Sequence, residues 1–131
     1  MNSMIRNLAI VAFSVTAFTS AQAASDTAER AESQYKAAME RCEPLKGNAQ
    51  DVCEKDAKAA RDRAKADGKA ARKGTPEARA DAGESKARAE YKAATERCES
   101  LKGKDQDACE SKAKAVLDQR QADADKKRKV N

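Results

Sequence analysis

The sequence predicts an all-α protein: two tandem, disulfide-stapled antiparallel helical hairpins joined by a flexible hinge and preceded by a signal peptide. Three observations lead there. Alanine and the charged helix formers dominate the chain after its first residues, large apolar side chains are scarce, and a cysteine-containing unit occurs twice.

Residues 1–23 read as a secretory leader. Arg6 gives the start one positive charge, Leu8 to Phe18 is apolar and uncharged, and Ala21 and Ala23 are the small residues a signal peptidase reads. The apolar run is about half of the ~20 residues that span a bilayer, so a membrane anchor fits less well. Cleavage is expected after Ala23, leaving no membrane span, and the short, weakly basic leader points to the periplasm. Removing Arg6 leaves 26 basic and 22 acidic residues, a net charge of +4.

After the leader, the large apolar side chains are Tyr35, Met39, Leu45, Val52, Tyr91, Leu101, Val116, Leu117 and Val130. So few cannot offset a backbone entropy cost of ~1–2 kcal/mol per ordered residue with an ordinary core. Disorder or locally stabilised helices with covalent links remain. Helix is favoured by the abundance of Ala, Lys, Arg, Glu and Gln and by opposite charges four residues apart, as in Glu32–Lys36 and Glu54–Lys58.

Residues 35–59 and 91–115 align without a gap at an offset of 56, and 18 of the 25 positions are identical. Within each unit the pattern is helix, turn, helix. Ala28, Ala31, Tyr35, Ala38, Cys42 and Leu45 step by three and four along one seam, as do Ala87, Tyr91, Ala94, Cys98 and Leu101. Gly47 and Gly103 are expected as helix stops, reinforced by Pro44 in the first unit. Asp51 and Asp107 are expected to open the second helices, with Glu54 and Glu110 three residues on. The second seams run Cys53, Ala57, Ala60, Ala64, Ala71 and Cys109, Ala113, Val116, with Leu117 and Ala124 beside the latter.

The four cysteines allow three connectivities. Duplication of the unit and symmetric placement about each turn favour Cys42–Cys53 with Cys98–Cys109; in one unbroken helix each pair would lie about 16 Å apart. Pairing suits an oxidising compartment. Zinc or redox use of these cysteines fits poorly: ten residues separate each pair, there is no His, and there is no Cys-x-x-Cys.

Four parts follow: the leader at 1–23, a first hairpin at 24–73, a hinge at 74–83 around Gly74 and Gly83, and a second hairpin at 84–131 with a basic tail. Thr75 followed by Pro76 reads as a helix start. No His-based nucleophile pair, Gly-rich phosphate loop or means of building a dry pocket is present, so a non-enzymatic protein without a cofactor or metal is expected. Lys126, Lys127, Arg128 and Lys129 could contact anionic polymers or lipid; as a solvated helix end they would instead complement the helix dipole. Tyr35 and Tyr91 are read as packing residues rather than exposed contacts.

The unit YKAAxERCExLKGxxQDxCE resembles small uncharacterised secreted proteins of Gram-negative bacteria in the TolA-like cell-envelope biogenesis group, over residues 28–73 and 84–126. The resemblance implies an envelope location and carries over no functional residue. The leading expectation is a structural, interaction or stress-related module of the cell envelope. The alternative is a binder of lipopolysaccharide or another anionic envelope polymer. Partners are expected to be an envelope protein or such a polymer, not nucleic acid, and self-association into a homo-oligomer is compatible with the alanine seams.

A non-reducing peptide map of the protein from periplasmic extract tests the leader and the pairing together. It should give an N-terminus at Ala24 and linked peptides holding Cys42 with Cys53 and Cys98 with Cys109. Free thiols, or links between the units, would remove the hairpin reading.

Overall fold

A computed structural model describes the backbone of residues 20–129 and the side chains of residues 26–129. It contains four helices: α1 (Ser20–Cys42), α2 (Asn48–Lys73), α3 (Pro76–Cys98) and α4 (Lys104–Lys129). Residues 1–19 of the expected leader and Val130 lie outside the described residues, and residues 20–23 form the first turn of α1.

Each helix packs on its neighbours in chain order, α1 on α2, α2 on α3 and α3 on α4, and α1 does not reach α4. The result is a serial array rather than a closed bundle. Contacts fix the directions. Glu32 pairs with Lys65 while Cys42 joins Cys53, so α1 and α2 run antiparallel. Arg63 meets Glu90 and Lys86 meets Asp67 across α2 and α3, and Glu90 and Arg128 make the corresponding pairs across α3 and α4.

The interior is built almost wholly of methyl groups. Among the described residues the buried set contains only alanines, Cys42, Cys98 and Gly68. Alanine lets helix axes approach to about 8 Å, the short end of ordinary helix packing. Each buried methyl contributes only ~0.8 kcal/mol. Ala59, Ala89 and Ala93 form a buried cluster between α2 and α3.

That interface corrects the expected hinge. Residues 76–83 are the first two turns of α3, and Ala78, Ala80 and Ala82 in them are buried. The link shrinks to Gly74 and Thr75. Gly74 takes the left-handed conformation (φ 66°) that closes α2, its N–H donating to the Ala70 carbonyl. Thr75 caps α3, its Oγ1 accepting from the Ala78 N–H at 3.2 Å, with Pro76 at the first helical position, as the sequence suggests. The helix runs straight through Gly83, which is half-buried.

The other turns also differ in detail from the sequence reading. α1 stops at Cys42 and α3 at Cys98, five residues before Gly47 and Gly103. Both glycines have φ 57° and serve as the entry to the following helix, not as the stop of the preceding one. Pro44 is not what ends α1, because α3 ends at the matching residue with Ser100 in that place. α2 and α4 begin three residues before Asp51 and Asp107, which lie in their first turns and there complement the positive helix ends.

The buried stripes of α2 and α3 are wider than the single seam per helix that the sequence suggests. α2 and α3 each have two partners, so each buries two stripes. Ala59 and Ala70 are buried where Ala60 and Ala71 were expected, and those two are exposed. Leu45 and Leu101 leave the seam for the turns and stand 38% and 39% exposed. Glu32 reaches across to Lys65 instead of pairing only along its own helix, and Glu54 accepts from Gln50.

A seam of methyl groups has no room to spare. Ala93→Leu should lower stability by about 1–3 kcal/mol through overpacking between α2 and α3. Ala115→Leu, at the exposed position matching Ala59 in the second unit, should leave it within about 0.5 kcal/mol. Urea unfolding followed by helix content measures both.

Candidate functional site

The cysteines form two bonds, Cys42–Cys53 and Cys98–Cys109, each with Cα atoms 5.6 Å apart, and no cysteine is free. Each bond ties the last residue of one helix to the sixth residue of the next. Cys42 and Cys98 are fully buried while Cys53 and Cys109 are partly exposed. Among the described residues no group of three or more His, Cys, Asp or Glu side chains is placed to hold a metal.

The basic tail does not act as a single block. Lys126, Lys127, Arg128 and Lys129 are the last turn of α4, so their side chains fan out around the helix. Arg128 turns inward. Its guanidinium donates to Asp81 at 2.7 Å, to Glu84 at 2.9 Å and to Asp125 at 2.9 Å. It pins the end of α4 to the start of α3 and is spent on the fold. Lys126 and Lys129 remain exposed.

The structure brings together a different set of residues. On one side of α3, α2 and α4 stand as walls of a trough of about 730 Å³. Its apolar lining is five alanines and the disulfide cysteines Cys98 and Cys109, with Tyr91, Val116 and Leu117 as the large apolar groups. Val116 is 49% exposed, the most of any large apolar residue described. Glu90 spans the trough at one end, its two carboxylate oxygens taking Arg63 from α2 (3.4 Å) and Arg120 from α4. At the end nearer Cys98–Cys109, Arg97 bonds Asp56, and Lys112 has no ion pair among the described residues.

The first unit has a counterpart with a different finish. A smaller groove of about 320 Å³ between α1 and α2 is lined by Ala31, Gln34, Tyr35, Ala38, Ala60 and Arg61 among others. At the offset of 56 these match Ala87, Glu90, Tyr91, Ala94, Val116 and Leu117. Here the Arg61 guanidinium lies 4.4 Å from the Tyr35 ring centroid, a cation–π contact that covers the ring. Leu117 in the second unit offers Tyr91 no such charge.

The sequence places Tyr91 and Val116 on the seams and Leu117 beside one of them. The signal lies just past the duplicated block, where Ala60-Arg61 becomes Val116-Leu117. What the sequence does not show is the third wall, because α2 reads there as part of a separate, hinged unit.

The α3–α4 end carries a charge dependence. Glu84 is held below its ordinary value of 4.5, first by the hydrogen bond from Arg128 and then by that from Arg88. A depressed carboxylate contributes stability that is present above its unfolded value and is lost as pH falls through the folded one. Thermal midpoints should therefore decline below pH 4.5, and Glu84→Gln should lower the midpoint at pH 7 while flattening that acid decline. Comparison of the chain with family models, with curated proteins and with solved structures finds no match.

Proposed function

We propose that this chain is exported to the periplasm after loss of residues 1–23. There it works in the cell envelope as a non-enzymatic helical interaction module of two disulfide-stapled hairpins. The observation that carries the reading is the trough on α2, α3 and α4. It is an open, apolar-floored surface with a half-exposed valine, framed by helices whose ends are covalently tied. Exposed apolar groups rimmed by charge are what protein-binding surfaces present.

Other features agree. Paired cysteines suit an oxidising compartment. No described helix is long and apolar enough to cross a membrane. The place we propose beside TolA-like envelope proteins rests on the repeated motif alone. The alternative, polyanion binding through residues 126–129, has less to draw on because Arg128 is committed to Asp81, Glu84 and Asp125.

Capture from periplasmic extract with the mature protein separates the two. An interaction module should retain an envelope protein through a rise in salt, and Val116→Asp should release it. A polyanion binder should retain lipopolysaccharide instead, lose it steeply as salt rises, and lose it on removal of residues 126–129.

A further inference from the structure

The two units present the same groove in two states, one covered by the chain's own side chain and one open. Arg61 lies over Tyr35 in the first. In the second, Leu117 replaces that arginine, Val116 replaces Ala60, and α2 adds a third wall. The open trough follows α3 from Ala87 to Cys98, about 16 Å at 1.5 Å per residue, the length of three helical turns.

Its charges are arranged around that apolar strip. Arg63, Arg97, Lys112 and Arg120 face two acids, Asp56 and Glu90, so the lining carries a net charge of +2. Both acids are already held by the arginines beside them. The excess positive charge stands at the two ends. Lys112 and Arg120 on α4 are eight residues apart, about 12 Å, with Val116 midway between them.

Resting on the reading of this chain as an interaction module, we propose that the trough binds an acidic amphipathic helix of a partner protein. Three turns of apolar side chains spaced three and four residues apart would lie along Tyr91, Val116 and Leu117. Two carboxylates seven or eight residues apart would meet Lys112 at one end and Arg120 at the other. The apolar strip supplies affinity and the end charges set direction and exclude basic helices. The first unit does not compete for the same segment, because Arg61 covers its aromatic ring.

Tyrosine itself reports binding, since Tyr35 and Tyr91 are the only aromatic residues after residue 23. Tyr35→Phe leaves Tyr91 as the sole fluorophore. The probe is a 15-residue helical peptide with a Leu stripe and two Glu eight residues apart, beside the same peptide with Lys for Glu. The acidic peptide should change Tyr91 emission saturably, and the Lys peptide should bind at least about tenfold more weakly. Leu117→Arg, which gives the second unit the cover of the first, should weaken binding about tenfold or more with helix content unchanged. Lys112→Glu should weaken it through charge alone.

Equal binding of the two peptides, no binding of either, or full binding by the Leu117→Arg variant would overturn the proposal. So would a Tyr91 response to anionic phosphatidylglycerol vesicles with none to the peptide. If capture from periplasmic extract still yields an envelope protein released by change at another surface, the interaction module stands and this assignment of its partner falls.

Discussion

Alanine packing sets the terms on which this chain folds. A methyl group lets two helices come close but removes little apolar area from water, so each seam is tight and weak together. Two consequences follow from that one fact. Register must come from something other than interlocking large side chains, and cohesion must come from outside the seams. The disulfides meet the second need at the two longer turns. Closing a short loop at a sequence separation of 11, from Cys42 to Cys53 and again from Cys98 to Cys109, contributes on the order of 2–4 kcal/mol for each bond.

The register is set by charge. Between α2 and α3, where there is no disulfide, Lys55–Glu96, Asp56–Arg97, Arg63–Glu90 and Asp67–Lys86 form a ladder along the interface. Exposed pairs of this kind add little stability singly; a slip of one turn would break them all. The same ladder bears on whether copies of the chain can add head to tail. If α1 of a second copy added to α4 as α3 adds to α2, Lys112 would face Arg41, Ser111 would face Glu40 and Gln119 would face Gln34. Only Asp123 with Arg30 would keep its complementarity. Head-to-tail growth is thus disfavoured by the residues at which the two units differ.

Much of the architecture is legible in the sequence because it depends on local rules. Composition specifies helix, the duplicated unit places the cysteines, and Thr75-Pro76 marks a helix start that the structure reproduces atom by atom. The missed features are relational. Gly74 and Gly83 read as loosening elements, yet a single left-handed glycine followed by a capped proline makes a tight turn, and Gly83 is carried within a helix packed on both sides. Whether alanine stripes serve one neighbour or two cannot be told from periodicity where nearly every third residue is alanine, as in α2 and α3. The trough depends on that third helix, so Val116 and Leu117 could be read as seam residues but not as its exposed apolar wall. The tail shows the opposite case. Four consecutive cations look alike in sequence, and only the fold distinguishes Arg128, which faces Asp81 and Glu84, from Lys126 and Lys129, which face water.

In this fold covalent staples stand in for a core, and thermal unfolding followed by far-ultraviolet circular dichroism, before and after complete reduction and alkylation, tests that dependence most directly. The account predicts a cooperative helical melt for the oxidised chain, and a reduced chain with a much lower midpoint and partial loss of helix already at 25 °C, as expected when seams of methyl groups act alone. A reduced chain that melted with the same midpoint and the same helix content would show that the alanine seams and charge ladder suffice, and would contradict the account.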